Sequence, residues 1–135
     1  MITGLSHTCV YVLDQDEAKA FYTEKLGFEV REDVSLGDYR WLVVAPKDHP
    51  EATIILSAIG APHFDEETAG QLRSVIAKGA LGPGVMATDD CHKSYEELSA
   101  KGVEFVQPPA DRPYGIEAVF RDNSGNWFSL TQRKR

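Results

Sequence analysis

The alternation of apolar and polar positions divides this chain into two similar halves. Residues 5–13 alternate with period two, placing His7, Cys9 and Tyr11 on one face and Thr8, Val10 and Val12 on the other. Asp14, with Glu17 three residues on, has the pattern of a helix N-cap. Ala18, Phe21, Tyr22 and Leu26 follow at helical spacing, and Gly27 is placed to end the helix. Strands are expected over 28–34, 39–45 and 53–59, with a turn at Leu36-Gly37-Asp38. The order is β-α-β-β-β.

The same order returns later. A strand is expected over 85–88, and Asp89-Asp90 opens a helix carrying Tyr95 and Leu98 that Gly102 closes. A strand over 103–107 then runs into a loop at Pro108-Pro109. Residues 114–131 form a hairpin around Asp122-Asn123-Ser124-Gly125, a cluster suited to a tight reversal. In its first strand Ile116, Ala118 and Phe120 oppose Glu117, Val119 and Arg121. In its second, Phe128 and Leu130 oppose Trp127, Ser129 and Thr131. The expectation is a single domain over 1–135, with one module over about 1–59, a connector over 60–82 and a second module over about 83–135. The connector holds a short helix over 66–78 and a glycine-rich joint over 79–84. Those glycines lack the spacing of a nucleotide-binding fingerprint.

Composition narrows the function classes. At 135 residues, with 42% hydrophobic and 26% charged, the chain can bury a core without disulfides. A net charge of −7 argues against nucleic acid, and the basic Arg133-Lys134-Arg135 reads as a solvated tail. No apolar run reaches membrane-spanning length, and the two cysteines, Cys9 and Cys91, lack metal-site spacing. A reduced, cytoplasmic protein is expected.

These elements resemble the vicinal-oxygen-chelate superfamily, the glyoxalase/bleomycin resistance protein/extradiol dioxygenase group. The likeness is carried by residues 7–13, by Ala20-Phe21-Tyr22 and Leu26-Gly27-Phe28, by Asp89-Asp90 with Tyr95-Glu96-Glu97-Leu98 and Lys101-Gly102-Val103, and by residues 120–126. It implies an α+β fold of tandem βαβββ modules forming a curved mixed sheet around a concave cavity, with helices on the outer face. It also implies four metal-ligand positions in the family's metalloenzymes. His7 matches the first. Leu56, Pro83 (or Gly84 and Val85) and Ser129 stand at the others, where no metal-ligating side chain is found. No cofactor is therefore expected.

On that fold, the expected ligand-binding residues are His7, Tyr11, Leu56, Glu117, Arg121, Trp127 and Ser129. Tyr39 with Trp41 joins them, unless Arg40 with Leu42 faces inward instead. Aromatic walls with few polar groups suit a hydrophobic or aromatic guest. The resemblance implies a symmetric homodimer whose cleft holds such a compound without altering it, as the family's drug-sequestering proteins do, with Glu117 as polar anchor. The alternative is a lyase, isomerase or dioxygenase using His7 and Glu117 as catalytic residues, with or without a divalent metal. A third reading fills the concavity with side chains and leaves a dimeric scaffold. Each residue also has a plainer role. His7 serves equally as a hydrogen-bonded strand histidine, Glu117 as an exposed carboxylate paired with Arg121, and Trp41 and Trp127 as core or interface residues. Cys9 is expected as a small buried hydrophobe, and His49, His63 and His92 as solvated.

Overall fold

A computed structural model describes residues 1–134 of the chain. The last residue of the basic terminus, Arg135, lies outside the described residues. Two compact units are formed, one from Met1 to Arg73 and the other from Ser74 onward.

The first unit contains β1 (Thr8–Val12), α1 (Gln15–Ala20), β2 (Phe28–Leu36), β3 (Tyr39–Pro46) and β4 (Ile54–Ala58). Asp14 caps α1 by accepting from the Glu17 N–H at 2.8 Å. The helix widens into one π-turn, Phe21–Lys25, in which the Leu26 N–H reaches the Phe21 carbonyl, and Gly27 leaves it at φ 77°. The four strands lie in the order β1-β4-β3-β2, with β1 parallel to β4 and the other pairs antiparallel. Val10, Val12, Leu42, Val44 and Leu56 are buried together with Ala18 and Tyr22. α1 is fastened to this side of the sheet by charge: Arg40 bonds Asp16 and Asp33, and Lys19 bonds Asp33.

The second unit repeats the plan with β5 (Gly84–Ala87), α3 (Cys91–Ala100), β6 (Glu104–Arg112), β7 (Gly115–Arg121) and β8 (Trp127–Arg133). Its sheet order is β5-β8-β7-β6, with β5 parallel to β8. Asp90 caps α3 through the Lys93 N–H, and Gly102 closes it at φ 88°. Ala118, Phe120, Phe128 and Leu130 are buried. A relay of rings, Tyr95 to Phe105 to Phe120 to Phe128, runs from α3 across the sheet at centroid spacings of 4.7, 5.8 and 5.7 Å. The Asp122 carboxylate closes the β7–β8 hairpin by accepting from the N–H groups of Ser124, Gly125 and Asn126.

The architecture is thus α+β with two βαβββ modules, each forming its own four-stranded mixed sheet. The connector helix α2 (Glu66–Ala77) contains the division between the units, so residues 60–73 belong to the first and the rest of the connector to the second. One strand differs from expectation. Pro108-Pro109 does not end β6, which continues to Arg112. Proline cannot donate to a ladder, but β6 is an edge strand and its register shifts between Phe105 and Gln107 and again between Gln107 and Ala110. The bulges carry the prolines past the pairing.

Candidate functional site

In the first unit, strand register decides which side chains share the face turned away from α1. Cys9 pairs with Ile55 and Tyr11 with Ser57, Val43 pairs with Ile55 and with Glu32, and Trp41 pairs with Val34. Tyr39 and Trp41 therefore share a face with Cys9 and Tyr11, whereas Arg40 and Leu42 lie on the helix side. His7 sits just ahead of β1. Its ring is 5.5 Å from Trp41, and its Nδ1 is 3.0 Å from the Ser6 hydroxyl. The Trp41 indole donates to Glu32. His7, Tyr11, Tyr39 and Trp41 are all half-buried, so the structure brings four predicted residues onto one ring-bearing face.

Leu56 does not join them. It pairs with Val10, not with Cys9 or Tyr11, and is fully buried on the helix side. Cys9 also departs from expectation, since the residue is exposed. Local desolvation of its sulfur nevertheless raises the thiol pKa, so it stays protonated at neutral pH. Desolvation likewise raises the Tyr11 phenol, helped by the neighbouring Cys9. Two rings come from outside the predicted set. Phe64 stands edge-on to Tyr11 at 5.2 Å and His63 edge-on to Tyr39 at 5.7 Å. Both lie in the turn after β4, where no periodicity marks a functional position.

In the second unit Glu117, Val119 and Arg121 register with Thr131, Ser129 and Trp127, so all six share the face opposite Phe120. Glu117 is the hub of a hydrogen-bond chain. Its carboxylate accepts from Ser129 Oγ at 2.6 Å and from Tyr114 Oη at 2.8 Å, while Arg112 Nε lies 3.6 Å away. Ser129 in turn lies 2.7 Å from the Thr131 hydroxyl. The expected pairing of Glu117 with Arg121 is not formed, because Arg121 reaches Glu104 on β6 instead. The Ser129 bond, with those from Tyr114 and Arg112, holds the Glu117 carboxyl below the usual range. A carboxylate so satisfied is a weak base.

The glycine-rich joint seats the remaining two residues. A side chain on Gly82 would come within 2.2 Å of the Trp127 ring, and one on Gly79 within 2.6 Å of the Arg121 guanidinium. The indole thus lies directly on bare backbone at Gly82, and the guanidinium rests on Gly79, whose φ of 79° favours glycine. An open depression of about 350 Å³ also lies in this unit, near Arg112, Ile116, Gln132 and Lys134, and none of the predicted site residues lines it.

A divalent metal, which the superfamily's enzymes use, does not suit these donors. Among the described residues no three His, Cys, Asp or Glu side chains come together in a group that could hold an ion. His7 Nδ1 faces the Ser6 hydroxyl and its ring packs near Trp41, while the Glu117 oxygens accept from Ser129 and Tyr114, so neither belongs to a group of three metal-ligating side chains among the described residues. His49 contacts Glu51 at 3.3 Å on the surface, and His92 is exposed on α3. Among the described residues no helix is long and apolar enough to cross a membrane.

The structure of UcmS2 superposes with a TM-score of 0.93 at 56% identity, covering 98% of this chain and 99% of that one. TnmS3, an antibiotic binding protein from Streptomyces sp. CB03234, superposes with a TM-score of 0.77 at 30% identity over 98% of each chain. The uncharacterized protein YurT of Bacillus subtilis (strain 168) is 35% identical over 127 residues, 93% of this chain and 96% of its own length. Residues 4–130 match the Glyoxalase/Bleomycin resistance protein/Dioxygenase superfamily, and the chain belongs to that superfamily.

Proposed function

We propose that this protein is a metal-independent small-molecule binding protein that holds a hydrophobic or aromatic compound without transforming it, and that it does so as a symmetric homodimer. The observation that carries the reading is the ring-bearing face of the first unit. There His7, Tyr11, Tyr39 and Trp41 stand half-buried on one side of a sheet, and among the described residues no cluster of metal-ligating donors lies beside them. Such a face gains area and stacking energy from a flat apolar guest, about 0.5–1.5 kcal/mol for each well-placed ring pair. Similarity to an antibiotic binding protein over nearly the whole chain supports binding of this kind. In the second unit, Glu117 is proposed as a polar anchor: its hydroxyl donors hold the carboxylate ionised and leave each oxygen a further lone pair for a hydrogen-bond donor or a cation, which the net charge of −7 also favours.

The enzymatic reading would assign His7 or Glu117 as general base. Glu117 is poorly suited, since Ser129 and Tyr114 already satisfy its carboxylate. The test combines native metal analysis with a thermal-shift panel of divalent ions and aromatic natural products. A native-state ligand at a hundredfold excess over its Kd raises stability by ~2.7 kcal/mol. Shifts with flat organic compounds and none with Mn²⁺ or Zn²⁺ are expected. The reverse result, or turnover of a bound compound that H7A abolishes, would replace binding by metal-assisted or acid–base catalysis.

A further inference from the structure

The turn between β4 and α2 carries two side chains that the strand pattern gave no reason to single out. We infer that His63 and Phe64 are specificity-determining residues of the ring-bearing face, selecting flat fused-ring guests over globular ones of similar size. This rests on the binding reading above.

Phe64 meets Tyr11 at an interplanar angle of 75°, and His63 meets Tyr39 at 76°. Each pair is therefore a near right-angled corner: one wall comes from the sheet, the other from the turn. A flat molecule in such a corner stacks on one ring and turns its edge to the other, satisfying both with the geometries aromatic rings prefer. A globular molecule touches each wall over a small area and gains neither geometry.

The corners are held from outside the rings. The Phe64 N–H donates to the Gly60 carbonyl at 3.0 Å, and Arg73 Nη2 donates to the Ile59 carbonyl at 2.6 Å. On the far side Asp65 caps α2 through the Thr68 N–H at 2.7 Å. The turn is thus fixed by hydrogen bonds that involve neither ring. His63 is exposed and Phe64 half-buried, so neither is spent on the core. Two rings kept out of the core on a pinned turn, each squared against a tyrosine, have the arrangement of a selectivity device.

The test titrates acridone, a flat neutral tricycle, and 1-adamantanol, a globular molecule, into the full chain by calorimetry, with far-UV circular dichroism and Tm recorded for every variant. The unaltered chain should prefer acridone. In F64L/H63L, which keeps apolar bulk but removes both rings, acridone affinity should fall about tenfold. Affinity for adamantanol should stay put, and the Tm should fall only by the few degrees that losing two edge-to-face ring pairs brings. H63F, which restores a ring, should keep the preference. Should the double variant fail to fold, F64L and H63L singly carry the test at about threefold each. Unchanged acridone affinity in these variants, or an equal loss for both probes, would overturn the inference. If acridone binds no better than adamantanol while other aromatic compounds still raise the Tm, the inference falls and the binding reading stands. If no organic compound shifts the Tm, both fall.

Discussion

In the first unit the face turned away from the helix is built of rings, His7, Tyr11, Tyr39 and Trp41. The corresponding face of the second unit carries one ring, Trp127, and centres on a hydrogen-bond chain from Thr131 through Ser129 and Glu117 to Tyr114. The frames beneath are the same: strand orders β1-β4-β3-β2 and β5-β8-β7-β6, an aspartate cap on each helix and a positive-φ glycine at each helix stop. The helix-side cores repeat as well, with Leu42 and Phe120 each fully buried. A frame used twice has fixed requirements on its helix side. The other side of each sheet is free to diverge, and there one copy acquired surfaces for stacking and the other a satisfied carboxylate.

If the helix-side cores are equivalent, large-to-small substitutions there should cost most in both units. Phe120→Ala should lower stability by ~3–5 kcal/mol and Leu42→Ala by ~2–5 kcal/mol, from lost burial plus an unfilled cavity. On the opposite face, Val85 is 70% exposed in register with Ser129, and Val85→Ser should stay within about 0.5 kcal/mol. Urea denaturation read at equal m-values gives all three. A Val85 effect as large as that of Leu42 would mean the faces do not divide core from surface.

The hairpin of the second unit offers the next largest effect. Asp122 accepts three backbone N–H groups and the Asn126 amide within a buried turn, and Asp122→Ala strands those donors. A loss of about 2–3 kcal/mol is expected by the same denaturation measurement, because bonds to a charged acceptor are strong and buried donors are left unpaired. A loss under half that would show the glycine and the flanking strands hold the turn without the carboxylate.

Acid should separate the units by their carboxylates. Arg40 and Lys19 hold the Asp33 carboxyl far below its ordinary range, and Ser129 with Tyr114 and Arg112 lowers Glu117. A folded pKa below the unfolded one adds stability above the unfolded value, and that stability fades as pH falls through the folded pKa. Between neutral pH and about pH 3, the fall in the denaturation midpoint should therefore be shallower in D33N and in E117Q than in the unaltered chain, and the Asp33 contribution should go on fading below that range. Equal acid limbs for all three proteins would remove the link between these contacts and stability.

Local signals were readable in the sequence and non-local ones were not. Asp14, Gly27, Asp90 and Gly102 act within a few residues of themselves, so both helices were legible at both ends. Alternation in 114–131 placed Glu117, Ser129 and Trp127 on one face, as their register confirms. Leu56 was misplaced because Ile54-Ile55-Leu56 is an apolar run without alternation, whose parity is set by the parallel pairing of Leu56 with Val10. The Arg121 partner was misassigned because the choice between Glu117 and Glu104 depends on β6, whose register is broken by bulges. Pro108-Pro109 looked like a loop because proline cannot reveal in advance that its strand lies on an edge. Within the joint over 79–84, composition does not show that Arg121 rests on Gly79 and Trp127 on Gly82. His63 and Phe64 belong to no periodic element, and only the turn's geometry brings them to Tyr39 and Tyr11.

The smallest effect tests the equality of the frames most directly. Asp14→Ala and Asp90→Ala each remove a side chain that accepts an otherwise unpartnered N–H in a helix's first turn, at a cost of about 1 kcal/mol. The two losses should not be identical. α1 keeps Asp16 and Glu17 in its first turn, whose negative charge still favours the positive end of the helix, whereas α3 has no acidic residue there. Asp90→Ala should therefore be the costlier by a few tenths of a kcal/mol at low salt, and the gap should close as salt screens the acidic pair. Replacement by Asn keeps an acceptor and should restore most of each loss. A gap that persists in high salt would place the difference between the helices in packing rather than in charge.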